Sequence, residues 1–285
     1  MDIKNSIVIE FVPDLWGSLD RFLKFYSSTY NFNKDIQKAL PGAANHFHKS
    51  IILLSVARRH VPLLQEDQEQ IDKTGHTPAL RAKELSALIE SIILDLYSSI
   101  DCARKIVTDI FKKYQGVKKS TRKFFKACID GKVNKSIPED IRHAFKSCDW
   151  YPYLLRLRDT LTHSDIGSCH MDSKTNKVFY MHAGLGNGQK ALVIDDIFLY
   201  LEKLITQVNQ FLGKVFAYLN TTLLDKELWE MCGIFGGRIY SRFVKPSEAL
   251  DFNSGRCDAF KWFEKPENPR CPFAKTCGAY KRRII

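Results

Sequence analysis

The sequence has no run of 18 or more apolar residues, so we expect no helix that spans a membrane. Its first five residues lack the basic start and the long apolar run of a secretory signal, which favours a cytoplasmic location. Internal repeats and low-complexity segments are also absent. A chain of 285 residues, 45% of them apolar, suffices for one large globular domain or two ordinary ones.

A glycine-rich segment at residues 184–188 lacks the Lys-Ser/Thr ending that a phosphate-binding P-loop requires. It lies between residues 177–182 and 190–194, whose apolar and β-branched side chains are typical of strands. We therefore predict a β-hairpin here.

Most of the remaining periodic sequence predicts helices. In the longest run, apolar residues from Leu85 to Ile110 recur at steps of three and four residues, as on one face of a helix. A β-branched segment at residues 7–12 predicts a strand. The predicted helices lie at about residues 79–114, 43–60 (after a break at Pro41-Gly42) and 196–220, with another directly after Pro13-Asp14. We expect a mainly α-helical fold.

The formal net charge of +11 favours an acidic partner, such as nucleic acid or a membrane surface. Cations are concentrated at residues 116–136, where Asp130 is the only acid. Phe124 and Phe125 either offer stacking surfaces to unpaired bases or pack inside, beneath a solvated basic helix. The residues that we expect to contact nucleic acid are Lys118, Lys119, Arg122, Lys123 and Lys126.

An apolar, helix-like segment from Tyr153 ends in a polar cluster that contains Arg158, Asp159 and His163. Five positions at 3.6 residues per turn place Arg158 and His163 about 140° apart on a helix. They converge if the helix ends between them, or if a second copy of the chain completes the site. We predict a helix end between them or near His163, and a site at a subunit interface. The same residues are also consistent with a purely structural role, in which His163 lies at a helix terminus and Arg158 pairs with a nearby acid.

The order of these elements resembles the HEPN superfamily (higher eukaryotes and prokaryotes nucleotide-binding). Its helical bundles carry an Arg, four to six residues and a His, usually with a polar residue after the Arg. The match here is Arg158, Asp159 and His163, and the resemblance covers about residues 79–220. It implies an up-and-down helical bundle with a small β-hairpin insertion.

The resemblance also implies a metal-independent endoribonuclease, without a catalytic cofactor, in which two motifs meet across a homodimer. His163 would be the general acid or base, Arg158 the phosphate ligand, and Asp159 the residue that orients one of them. These residue types suit the chemistry, because an imidazole transfers protons near neutral pH and a guanidinium offers a planar fork to phosphate.

An enzyme of this kind would fit a toxin or an antiviral-defence effector that cleaves RNA under the control of an antitoxin or another regulatory protein. The alternative is a non-catalytic HEPN-like module that binds nucleic acid or protein. His170 and His182 compete as the catalytic histidine, but neither has an Arg at the family spacing.

The tail is rich in glycine, proline, cysteine and aromatic residues. Cys257, Cys271 and Cys277, with Cys232 as a fourth, would supply the ligands that a structural zinc ion prefers, although no Cys-x-x-Cys pair is present. An iron–sulfur cluster is another version of such a site. The other four cysteines are scattered, as buried thiols would be in a reducing compartment. We divide the chain into an N-terminal helical extension (1–75), the HEPN-like bundle (76–222) and a C-terminal appendage (223–285).

Overall fold

The computed structural model describes residues 17–114, 117, 120–163, 166–172, 174–187, 190–235, 237–248 and 253–282. The strand predicted at residues 7–12 lies outside them, as do Lys118 and Lys119. The described chain is mainly helical, as predicted. It also contains two small antiparallel sheets, whereas for these residues the sequence predicted only a β-hairpin and no strands in the C-terminal region. None of its helices is both long and apolar enough to cross a membrane.

The elements are numbered in chain order. The described helices are α1 (Ser18–Phe25), α2 (Lys34–His60), α3 (Leu64–Thr74), α4 (Leu80–Ile110), α5 (Thr121–Ile129), α6 (Glu139–Lys146), α7 (Tyr151–His163), α8 (Ile197–Thr221), α9 (Phe260–Phe263) and α10 (Gly278–Lys281). The strands are β1 (Ser168–Met171), β2 (Val178–Asn187), β3 (Lys190–Ile194), β4 (Leu228–Phe235), β5 (Arg238–Val244) and β6 (Arg256–Cys257).

Helix α4 is the centre of one compact unit, Phe32–Val215. Its 31 residues follow the predicted periodicity, and α2, α3, α5, α7 and β1 all contact it. Full burial of a Leu or Ile side chain contributes about 1.5–3 kcal/mol relative to exposure, so α4 supplies much of the hydrophobic stabilisation of this unit. The largest apolar side chains that α4 buries completely are Leu85, Ile89, Ile92, Ile93, Leu96, Ile100, Ile106 and Val107.

The break predicted at Pro41-Gly42 is wrong, because α2 runs through Pro41 without interruption. Asn33 caps the start of the helix, because its side chain accepts hydrogen bonds from the backbone N–H groups of Asp35 and Ile36, both at 3.0 Å. An internal proline costs a helix about 3 kcal/mol. Burial of small and large apolar residues on both sides of it, such as Leu40 and Phe47, offsets this cost.

Aromatic rings join the shorter helices of this unit. Phe125 of α5 stacks on Tyr151 of α7, with ring centroids 3.7 Å apart and planes 7° apart. Phe145 of α6 meets Phe124, Phe125 and Phe211 of α8 edge-on or tilted, at 4.7–5.0 Å. These contacts hold α5 and α7 against the bundle, and they determine where the basic stretch lies.

The predicted hairpin is part of a three-stranded antiparallel sheet in the order β1-β2-β3. Strand β1 was not predicted from the sequence. Strand β2 continues through Gly184 to Asn187, with a register shift between His182 and Asn187, so the turn predicted to begin at Gly184 is wrong at its start. Strand β1 follows α7 closely in the chain, since α7 ends at His163 and β1 begins at Ser168.

The second compact unit combines residues up to Asn31 with residues from Phe216 onward. In it Asn220 donates a hydrogen bond to the carbonyl oxygen of Ser18 at 2.8 Å, and Phe22 packs on Phe216 with ring centroids 5.5 Å apart. The sheet β4-β5-β6 and the short helices α9 and α10 complete it. These boundaries differ from the predicted ones, because α2 belongs with the bundle, whereas α1 belongs with the tail.

Candidate active site

Helix α7 carries the candidate catalytic residues. It buries Tyr151, Leu154 and Leu157, and it ends at His163. The helix therefore ends near His163, as one form of the prediction requires, and not between Arg158 and His163. Within one chain the two side chains stay on faces about 140° apart, and they do not converge.

Arg158 is held by two neighbours. Its Nη1 donates to Asp159 Oδ1 at 2.9 Å, and its Cζ lies 4.9 Å from the centroid of the Tyr97 ring on α4. Both side chains of the ion pair remain partly exposed. Asp159 therefore orients and partly neutralises Arg158, the residue that the resemblance assigns to phosphate.

His163 has an exposed side chain at the last position of α7. A substrate or a second chain can approach it from solvent. His182, one of the competing histidines, is only 1% exposed, which leaves a substrate no access to its ring. His170 is exposed, but its Nε2 is hydrogen-bonded to Ser168 at 3.0 Å and its ring stacks on Phe179.

The chain after His163 is fastened to α4 by a buried carboxylate. Glu90 accepts hydrogen bonds from the backbone N–H of Gly167 at 2.6 Å and from the Tyr180 hydroxyl at 2.8 Å. The Ser86 hydroxyl accepts from the backbone N–H of Cys169 at 2.9 Å. These bonds fix Gly167, four residues beyond His163, and the start of β1 that follows it, so they restrict where the exposed end of α7 can lie.

The middle of the basic stretch, residues 121–129, forms α5, where Arg122, Lys123 and Lys126 are exposed. Phe124 and Phe125 are fully buried, so of the two readings of these residues, the one with both rings packed inside is correct. They offer no stacking surface to a base. Any contact of α5 with nucleic acid therefore depends on its charges.

A cavity of about 540 Å³ lies beside α5 and α7. Arg122 and Lys126 from α5 line it together with Arg156 and Asp159 from α7. With Asp130 included, three cations face two carboxylates. The cavity thus brings one predicted catalytic residue together with two predicted nucleic-acid contacts, whereas Lys123, Arg158 and His163 lie outside its lining.

The start of α5 is tied to α4 by the half-buried Asp101 and the buried Arg104. Asp101 accepts hydrogen bonds from Thr121 and, at 2.7 Å, from the buried Arg104, and it pairs with Lys105 at 2.9 Å. Burial raises the pKa of Asp101, but the hydrogen bonds from Thr121, Arg104 and Lys105 outweigh it, so the pKa lies at about 2 instead of 3.8. This pair of residues on α4 positions the cationic helix.

Sequence reasoning missed Arg156, Tyr97, Glu90 and Asp101. Glu90 and Asp101 were visible as acids within the mostly apolar run of α4, where an acid that is removed from water needs a partner. Tyr97 carried no such signal, because an aromatic residue in a buried helix is ordinary.

The four cysteines of the tail line one small cavity in the second unit. Across the described residues, no three His, Cys, Asp or Glu side chains stand at the spacing of a bound metal ion.

Comparisons with protein-family models, with curated proteins and with solved structures gave no match. The resemblance to the HEPN superfamily therefore rests on the Arg158–His163 motif and the order of its flanking elements, and it stays a prediction.

We predict that Gly167→Ala destabilises the bundle by at least about 2 kcal/mol, because a Cβ there would lie 2.2 Å from the Tyr180 ring and hydroxyl. Urea unfolding measures the change. Gly213→Ala is the matched control, since its Cβ would meet nothing within 4 Å, and a helical alanine should raise stability by roughly 0.5–1 kcal/mol. Equal stability of wild type and Gly167→Ala would contradict the packing described here.

Asp101 should make stability depend on pH. Its folded-state pKa is depressed, so its contribution is present above the ordinary value of 3.8 and is lost as the pH falls from there towards about 2. Asp101→Asn should cost about 1–3 kcal/mol at pH 7, and the difference from wild type should shrink below pH 4. Chemical unfolding from pH 7 to pH 3 tests this, with the exposed Asp72→Asn as control. A difference that does not change with pH would show that the charge of Asp101 has no such role.

Proposed function

We propose that this protein is a metal-independent endoribonuclease that works as a homodimer. The observation that carries the proposal is the cavity between α5 and α7, whose three cations and two carboxylates include Asp159 of the motif together with Arg122 and Lys126. Guanidinium and ammonium groups there suit a phosphate backbone. The resemblance of the Arg158–His163 motif to that of HEPN ribonucleases supplies the reaction type.

In the proposed reaction the RNA supplies its own nucleophile. The 2′-hydroxyl loses its proton to a general base and attacks the adjacent phosphorus, and the bond from phosphorus to the 5′-oxygen breaks. A general acid gives a proton to that oxygen, which leaves a 2′,3′-cyclic phosphate and a 5′-hydroxyl. His163 takes a proton-transfer role, and Arg158, oriented by Asp159, stabilises the negative charge on the phosphate.

A second chain is part of the proposal because Arg158 and His163 of one chain face different directions. Two copies of the exposed end of α7 can place Arg158 of one chain near His163 of the other. Ile166, three residues beyond His163, leaves 62% of its surface exposed and offers apolar area to such a contact. Because uncontrolled RNA cleavage harms the cell, we extend the proposal to a cytoplasmic toxin or defence effector held in check by a protein partner.

We predict that the wild type cleaves single-stranded RNA in EDTA, whereas His163→Ala and Arg158→Ala each lose at least about a hundredfold in rate. Gel analysis of a labelled RNA measures the rate, and treatment of the products with acid and phosphatase identifies a 2′,3′-cyclic end. Lys73→Ala, at an exposed position of α3, is the control. Equal rates in all variants would refute the site, and activity that needs added Mg²⁺ would refute the mechanism.

The same two variants test the dimer. If one chain supplies Arg158 and the other His163, co-expressed variants form mixed dimers with one intact site, and equal mixing restores about a quarter of wild-type activity. No recovery in a preparation that contains mixed dimers would place both residues in one chain.

The second candidate is a nucleic-acid-binding module without catalysis. It is favoured by the ion pair between Arg158 and Asp159, which leaves the guanidinium partly neutralised in the single chain. This candidate predicts RNA binding without cleavage.

Both candidates predict a salt-dependent contact through α5. Affinity falls as the salt concentration rises, and each phosphate contact on a single strand adds about 0.7 to the steepness of log affinity against log salt concentration. Replacing Arg122 and Lys126 with alanine should therefore make this dependence shallower by about 1.4. Fluorescence anisotropy with a labelled RNA oligonucleotide measures the slope. Lys73→Ala with Lys83→Ala removes two exposed cations outside the cavity and should leave the slope near that of the wild type. An unchanged slope in the α5 variant would exclude this cavity as the RNA contact.

A further inference from the structure

Four cysteines that are far apart in the sequence meet in the second unit. Cys232 lies in β4, Cys257 in β6, Cys271 in the connection after α9, and Cys277 directly before α10. All four line one cavity, together with Arg242 and the aromatic residues Tyr240, Phe263, Phe273 and Tyr280. The remaining cysteines all lie in the bundle unit. Convergence of four thiols is not required by hydrophobic packing, for which any small apolar residue would serve.

The local backbone directs these thiols inward. Cys232 is the extra residue where the pairing of β4 with β5 shifts between Met231 and Gly233, and such a bulge re-aims a side chain. Cys257 pairs with Arg242 across β5 and β6, so both side chains lie on the same face of the sheet. Gly255, two residues before Cys257, has a φ of 73° and touches the backbone of Phe243, where a Cβ would lie 2.1 Å from the carbonyl oxygen.

The size of the cavity favours a single ion. Its volume of about 20 Å³ accommodates one body the size of a water molecule, and a four-iron cluster needs far more room. The surrounding elements are short, with two residues in β6 and four each in α9 and α10. Small folded regions of this kind commonly need a metal to supply stability that their core does not.

The charge of Arg242 fits a thiolate site. Arg242 is only 2% exposed, and its Nη1 donates to the carbonyl oxygen of Ser254 at 3.1 Å. Arg242 lines the same cavity as the four cysteines. Four thiolates around a dication carry two net negative charges, and a buried guanidinium beside them offsets one.

We propose that Cys232, Cys257, Cys271 and Cys277 bind one zinc ion tetrahedrally and that this ion holds the C-terminal unit together. Zinc–sulfur bonds of about 2.3 Å bring neighbouring sulfur atoms to about 3.8 Å from one another. The side chains reach this spacing by turning toward the cavity, since a change of one cysteine rotamer moves Sγ by about 3 Å. The proposal does not depend on RNA cleavage, because the site is built from residues outside the bundle unit.

The test is metal analysis of the full chain purified without chelators. Mass spectrometry of the metals should find about one zinc per chain. Cys271→Ser, at the half-buried position, should lower zinc affinity at least tenfold in competition with a chromophoric chelator. Cys148→Ser is the control, because it removes a buried thiol of the bundle unit and should leave the zinc content unchanged.

Cobalt binding supplies a second measurement that needs no variant to fold. The wild type stripped of zinc and loaded with Co²⁺ should show the visible absorption of tetrahedral cobalt bound to thiolates. Absence of zinc and of this absorption would overturn the proposal. So would zinc that Cys271→Ser retains in full, iron accompanied by acid-labile sulfide, or disulfides among the four cysteines detected by mass after alkylation.

Discussion

The bundle depends on the burial of one helix that is not wholly apolar. Helix α4 spans about 46 Å, and its neighbours cover its length. Because a buried polar group without a partner costs free energy, each polar residue within α4 requires a particular neighbour in a particular place. Hydrophobic contact lets an element slide, whereas these hydrogen bonds do not. The polar residues of α4 and the elements that they hold are Ser86 and Glu90 for β1 and β2, Asp95 and Ser99 for α2, and Asp101 with Arg104 for α5.

Periodicity predicted what depends on local sequence. Helices α4 and α8 lie close to their predicted bounds. Apolar residues at helical spacing can be recognised in the sequence without knowing which element packs against the helix. The prediction was wrong at Pro41, where tertiary burial outweighs a local breaker, and it missed β1, whose four residues carry no strong alternation. It also separated α1 from the tail. The contact between Ser18 and Asn220 joins positions that are about 200 residues apart, and no local pattern encodes it.

In the candidate site, too, the sequence predicted local features but not contacts between distant parts of the chain. The sequence located Arg158, Asp159 and His163 near a helix end and allowed a pair between Arg158 and a nearby acid, but it did not reveal that Asp159 also lines a cavity with Arg122 and Lys126. That juxtaposition follows from Phe125, which stacks on Tyr151 and so sets α5 beside α7. Phe124 and Phe125 were open to two readings in the sequence because an aromatic pair among lysines is compatible with either. The convergence of the tail cysteines likewise depends on the bulge at Cys232 and on the positive φ of Gly255, which cysteine spacing alone does not disclose.

The joint at Glu90 has a consequence for the family of sequences that can adopt this bundle. One carboxylate holds both the amide of Gly167 and the hydroxyl of Tyr180, and the glycine leaves the space that the tyrosine ring fills. The three positions are therefore coupled, since a substitution at one of them leaves the other two strained or without a hydrogen-bond partner. We therefore expect an acid on the long helix, a glycine four residues after the position of His163 and a tyrosine thirteen residues further on to occur together in sequences that form this bundle, whether or not those sequences keep Arg158 and His163.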